Sequence, residues 1–385
     1  MGFSRIDFGI VLIYLVGVTA LGSYFRRRQH SIHDYFLGGR TAPTWALALS
    51  IVATETSALT IIGTPALAYG SNLAFLQLTF GYIIARFLIS FLLLPQYFAG
   101  ELYTAYQYVE RRFGALTKKL TAGLFLVTRS LAEGVRVFAV SLVVSAVLGT
   151  NTLESILVMT LVTLFYTFEG GMQAVIWTDV VQFLIYVAGG LIVLWQLLQG
   201  IPGGWTEATQ LAHAAGNKFA VLDFSFAWDK TYTFWAGVLG GTFLTMASHG
   251  TDQLLVQRLL AARNLRKSQT ALIVSGFIVL AQFLLFLILG VVLYAFYQHF
   301  PPPTPFTRTD QVFPTYMVAY LPTGMAGLMV AAVLAAAMST SSATLNSLAA
   351  STVVDFGRRQ ADSAQLLRRS RLVTLAWGAV MIVLA

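Results

Sequence analysis

Ala53-Thr54-Glu55-Thr56-Ser57-Ala58-Leu59-Thr60, with Gly63 and Pro65 about two turns on, lies inside an otherwise apolar run from Trp45 to Tyr69. Hydroxyls, a carboxylate and two helix breakers make a poor surface for lipid. A charge at mid-bilayer costs about 2.5 to 3.5 kcal/mol on insertion scales, so Glu55 needs a partner or a purpose. Irregular backbone is tolerated at that depth only where protein or a cavity satisfies the freed carbonyls. The stretch reads either as a helix broken at Gly63 and Pro65 that lines a polar site, or as a kinked helix whose Glu55 pairs with a buried arginine.

The surrounding chain says why lipid is the relevant solvent. Of 385 residues 57% are apolar and only 10% are charged, with mean hydropathy +0.73; a soluble domain carries about 25% charged residues. Apolar windows of spanning length recur at Phe8–Phe25, Trp45–Tyr69, Leu73–Tyr97, Leu120–Leu148, Ile156–Tyr166, Met172–Leu198, Thr233–Val256, Ala271–Phe296 and Gly324–Val354. A tenth, Leu372–Ala385, is short, which leaves the last span truncated. The first window has its basic block, Arg26-Arg27-Arg28, behind it rather than before it, which favours a retained helix over a cleaved signal.

Threading ten spans from an outside N-terminus gathers most of the 24 Lys and Arg on one side, including Arg26 to Arg28, Arg111, Arg112, Arg258, Arg266, Lys267, Arg358, Arg359 and Arg368. Arg5, Lys218, Lys230 and Arg308 fall on the other. The positive-inside rule makes the crowded side cytoplasmic. Residues 26–44 are then a cytoplasmic loop, 201–232 an external one, and the whole chain, 1–385, one transmembrane transporter domain. The net charge of +8 reports orientation on an anionic inner leaflet, so the partners expected are lipid and a small solute, with no nucleic acid. Cysteine is absent, and His30, His33, His213, His249 and His299 form no metal or catalytic pair within a span, so no enzyme is expected.

Other polar residues recur inside the spans. Arg129, Glu133 and Arg136 fall within about 60 degrees of one another on one helix face, a carboxylate between two guanidiniums. This is either a self-neutralised structural cluster or an anion or gating site. Arg86 and Asp179 are further charges at membrane depth. The span from Thr233 carries Gly237, Gly240, Gly241 and Gly250, and ends on Ser248-His249-Gly250-Thr251-Asp252-Gln253. It follows the first punctuated span by five helices, the spacing at which inverted five-helix repeats break their first helices. In the ninth span Ser339, Ser342 and Asn346, with Thr340, Thr344 and Ser347 alongside, form two neighbouring columns of oxygen. Such oxygens suit a hard monovalent cation, and equally suit helix packing.

These residues resemble the sodium:solute symporters, carriers of sugars, proline, sialic acid, pantothenate and iodide. The likeness runs from Asp34-Tyr35-Phe36-Leu37-Gly38-Gly39-Arg40 through Gly170-Gly171, Thr178-Asp179 with Gln182, and Thr251-Asp252-Gln253 with Gln257-Arg258, to Asp355. It implies an all-α, inverted-repeat bundle of the leucine-transporter type with one extra N-terminal helix, here C-terminally incomplete. It implies a sodium site of the Ala53, Thr56 and Ala336 carbonyls with the Ser339 and Thr340 hydroxyls. Asp179 and Ser342 match a second sodium found in some members, but Ala343 lacks the adjoining hydroxyl. Thr60 and Thr79 stand where sugar carriers have Gln and Glu, which disfavours sugar. Ser57, Thr60, Gln77 and Thr79 are expected to line the cavity, with Glu55 as a proton or ion group. The function implied is sodium-driven uptake of a small organic or anionic solute across the inner membrane by alternating access. The alternative is a transporter-like sensor module of a larger signalling protein.

Overall fold

The computed structural model describes residues 3–357 and 363–385, so Arg358 and Arg359 lie outside the described residues. All regular elements described are helical: α1 (Arg5–Tyr24), α2 (Ile32–Leu37), α3 (Thr44–Glu55), α4 (Ala58–Gly70) and α5 (Leu76–Leu88). A π-helical turn, Ile89–Leu93, carries α5 into α6 (Leu94–Phe98), followed by α7 (Ala105–Leu148), α8 (Thr152–Gly200), α9 (Gly204–Ala214) and α10 (Phe234–Gly250). The chain continues as α11 (Gln253–Leu260), α12 (Leu265–His299), α13 (Val312–Ala319), α14 (Met325–Asp355) and α15 (Ser363–Leu384). Among the described residues five helices are long and apolar enough to cross a membrane, and the bent pair α3 and α4 makes a sixth. The all-α expectation holds.

Local chemistry sets the helix ends. Ser4, Ser31, Asn151 and Asn264 each accept a bond from the backbone N–H three residues on, satisfying donors that a helix start leaves free. Helix α8 has 49 residues, roughly 70 Å of helix against a bilayer core of about 30 Å. It kinks at Gly171, whose φ of 53° and ψ of −149° strongly favour glycine. A Cβ there would also lie 2.7 Å from the Tyr35 carbonyl oxygen. This kink separates the two windows read at Ile156–Tyr166 and Met172–Leu198. Helix α15 starts at Ser363 and has 22 residues, so the helix is longer than the apolar window read in it, because Gln365 to Arg371 continue the same helix.

The interruptions fall elsewhere than the glycines and proline suggested. Helices α3 and α4 meet at Thr56 and Ser57 with a 69° bend, about two turns before Gly63 and Pro65. Pro65 is accommodated inside α4, where its carbonyl abuts Gly290 of α12. Likewise α10 runs unbroken through Gly237, Gly240 and Gly241 and stops at Thr251 and Asp252. Gly237 and Gly81 let α10 and α5 touch backbone to backbone: a Cβ on Gly81 would lie 2.6 Å from the Val238 carbonyl oxygen, and one on Gly237 would lie 2.8 Å from the Gln77 carbonyl carbon. Close packing, not flexibility, explains these glycines.

Of the five membrane-length helices α14 is the most enclosed, with 94% of its most apolar stretch buried. Helix α1 fastens its start: Asp7 accepts the Gly324 and Gly327 N–H groups at 2.8 and 2.7 Å. At the same end, the segment 201–232 is partly helical, with Ala208 and Ala212 of α9 buried. Lys218 donates to the Tyr69 and Ser71 carbonyls and lies over the Tyr294 ring, and burial lowers its pKa. Ser225 and Lys230 hold the Asp223 carboxyl down to about 2.

Candidate functional site

Where α3 stops at Glu55, its last carbonyls lose the partners that another helical turn would supply. Helix α14 passes this end and presents Thr340. The Thr340 hydroxyl oxygen lies 3.3 Å from the Thr54 carbonyl oxygen, 3.4 Å from that of Thr56 and 3.3 Å from that of Ala336. One hydroxyl proton cannot satisfy three acceptors, and all three distances exceed the usual O–H···O range of about 2.5 to 3.0 Å. The cluster is therefore rich in acceptor oxygen and poor in protons, the environment that a hard cation satisfies. Thr56, Ala336 and Thr340 are thus brought together. Ala53 is buried in the same turn of α3, and the Thr54 carbonyl joins the group.

Ser339, next in sequence, faces another way and donates to Asp179 at 2.6 Å. The other Asp179 oxygen receives the Ser50 hydroxyl at 2.5 Å and an Arg258 N–H at 3.2 Å. Arg258 also donates to Ser50 at 3.1 Å and to the Leu254 carbonyl at 2.9 Å. Both members of this ion pair are fully buried. Arg258, read as a cytoplasmic charge, is therefore internal. It places a guanidinium beside the carboxylate expected for a second sodium. Ser342 donates to the Ser339 carbonyl.

On the far side of the α3 interruption lies a cavity of about 750 Å³ lined by Glu55, Thr60, Arg129, Arg136, His249 and, at one end, Thr309 and Asp310. Glu55 does pair with a buried arginine. Its Oε2 lies 2.6 Å from Arg86 Nη2 and 2.5 Å from His249 Nε2, while its Oε1 is buried without a partner. Ser275 receives Arg86 Nε at 3.1 Å, and Ser248 contacts His249 Nδ1 at 2.9 Å. Three other expected lining residues have other duties. Gln77 donates to the Ala74 and Tyr232 carbonyls and receives the Asp223 N–H, fastening the outer segment. The Thr79 hydroxyl returns to the Leu76 carbonyl, and Ser57 meets the Thr60 hydroxyl at the start of α4.

The α7 cluster is only partly self-neutralised. Glu133 pairs with Arg136 at 3.1 Å and accepts the Ser341 and Thr344 hydroxyls of α14 at 2.6 and 3.1 Å. Arg129 instead pairs with Asp252 at the α10–α11 interruption. A shared face put the three side chains near one another, but Asp252 also offered Arg129 a carboxylate.

This arrangement has known counterparts. Residues 35–385 match the model of the sodium:solute symporter family. The chain belongs to that family. The sodium/sialic acid symporter NanT of Aliivibrio fischeri is 28% identical over 385 residues, 99% of this chain and 76% of the relative. The human sodium/iodide cotransporter is 30% identical over 400 residues, covering all of this chain and 61% of the relative. A solved, substrate-bound, outward-open structure of a sodium-coupled sialic acid symporter superposes with a TM-score of 0.94 at 26% identity, over 99% of this chain and 82% of that one. The symporter is accordingly a multi-pass membrane protein, and the family couples solute movement to sodium.

Several of the symporter's site residues escaped the sequence reading. His249, Asp252 and Arg258 lie in the quoted motifs around α10 and α11, but each is paired with a residue more than 70 positions away. The one available signal was electrostatic: Glu55 and Asp179, buried in the membrane, each demanded a cationic partner.

Proposed function

We propose that this symporter carries a small anionic solute inward together with sodium, and that the sodium sits between the interrupted end of α3 and the Thr340 hydroxyl of α14. The observation that supports it is the Thr340 hydroxyl among three carbonyls that it cannot all satisfy. The cavity beside it presents Arg129, Arg136 and His249 to a solute and suits a small organic anion. The relatives reported above carry sialic acid and iodide, both anions at neutral pH. The side bearing Arg26 to Arg28 is cytoplasmic, the N-terminus is outside, and the membrane is the inner one. Residues 1–385 act as one transporter unit, with 26–44 and 201–232 as its inner and outer connections.

Sodium binding draws the α3 carbonyls and α14 together and completes the cavity wall at Glu55, after which the solute enters and the outer side closes. Asp179, neutralised by Arg258, holds no further cation, so one sodium moves per cycle. One sodium with one monovalent anion carries no net charge, and a tenfold sodium gradient then supports about tenfold accumulation. A second sodium would add about 2.3 kcal/mol per 100 mV of potential. The test is uptake of a solute panel into vesicles in sodium against choline. Anions should accumulate in sodium alone, without current, and Ser339→Ala with Thr340→Ala should abolish the sodium dependence. Equal uptake in choline, or a double variant that retains the dependence, would refute the reading.

A further inference from the structure

Glu133 occupies a position that neither the ion cluster nor the cavity explains by itself. It is fully buried on α7. Its Oε1 accepts the Ser341 hydroxyl at 2.6 Å, and its Oε2 accepts both the Thr344 hydroxyl at 3.1 Å and an Arg136 N–H at 3.1 Å. Arg136 lines the cavity with its side chain 26% exposed. Thr344 lies one turn beyond Thr340 on α14, and its hydroxyl lies 3.0 Å from the Thr340 carbonyl. A single hydroxyl proton therefore has two acceptors, the Glu133 carboxylate and the backbone of the residue at the centre of the ion cluster.

We infer that Glu133 is a positioning residue that ties occupancy of the cavity to the affinity for sodium, through the Ser341 and Thr344 hydroxyls; this rests on the proposed sodium-coupled uptake of an anion. While Arg136 donates to Oε2, it offsets the charge on that oxygen, and the Thr344 proton is shared between Oε2 and the Thr340 carbonyl. An anionic solute that engages Arg136 withdraws the guanidinium. The Thr344 proton then turns wholly to the carboxylate, and with that positive hydrogen gone the potential beside the Thr340 backbone becomes more negative. Sodium binds more tightly next to it. Coupling of binding sites is reciprocal, so bound sodium raises affinity for the anion by the same factor.

Sodium alone can test the link, by titrating radioactive sodium onto the purified full chain. Arg136→Gln imitates withdrawal of the guanidinium and should tighten sodium binding about fivefold. Arg136→Lys, which keeps the charge, should leave it within about twofold of the parent. In a Ser341→Ala/Thr344→Val background the effect of Arg136→Gln should shrink below about twofold, because the hydroxyl relay is gone. Thermal unfolding confirms that each variant is folded; Thr344→Val alone serves if the double change fails to fold, with the shift again reduced. A shift of the same size in both backgrounds would show a field acting through space and overturn the inference, as would no shift in the parent background. A parent chain that binds no sodium would overturn the transport reading itself, and the inference with it.

Discussion

Two buried carboxylates flank the interruption of α3, and they are partnered in opposite ways. Asp179 is sealed, with one oxygen on Ser339 and the other on Ser50 and Arg258, and neither member of its ion pair reaches solvent. Glu55 faces the cavity with its side chain 14% exposed; Arg86 and His249 crowd one oxygen while the other has no partner. A saturated buried pair resists change, since breaking it strands a charge. An unsaturated one has a bond still to make. The contrast assigns Asp179 to the framework that holds α3, α8, α11 and α14 together, and leaves Glu55, on the cavity wall, with one oxygen still unpartnered.

The largest effect expected is on stability. Asp179→Ala leaves Arg258 buried and unpaired and should cost about 3 to 5 kcal/mol, read by thermal unfolding in detergent. A folded, stable Asp179→Ala protein that merely loses uptake would reverse the assignment. Glu55→Gln keeps the shape and one acceptor, so it should cost less than about 2 kcal/mol in unfolding yet reduce uptake about tenfold. Unfolding losses ranked the other way round would break the comparison. Ser50→Ala removes one of four donors to Asp179 and should cost about 1 kcal/mol in unfolding, with sodium affinity within about twofold of the parent. A larger loss of sodium affinity would place Ser50 in the ion site.

The elements that mattered were legible in the sequence; the positions of their interruptions were not. Hydroxyls and a carboxylate in an apolar run marked α3 and α4, because such groups are costly against lipid wherever they fall in the helix. Gly63 and Pro65 drew the break too late, since local propensity does not register that α12 packs on Pro65 through Gly290. The same holds for Gly237 and Gly241, whose reason is the backbone of α5. Thr56, Ala336 and Thr340 lie together while Ser339 turns to Asp179, and Glu55 is paired with Arg86. Periodicity correctly placed Arg129, Glu133 and Arg136 on one face but carried nothing about Asp252, which only the fold brings to Arg129. Partner choice among buried charges is a property of tertiary packing.

The central claim is that an alkali ion is held by the carbonyls ending α3 and the hydroxyl of Thr340. Sodium binding to the purified protein, compared between the parent and Thr340→Val, tests it most directly, because valine keeps the β-branched shape and replaces only the hydroxyl, with a methyl. Saturable binding by the parent, weakened at least about tenfold in Thr340→Val without loss of folding, is the expected result. Equal binding by the two proteins would contradict it.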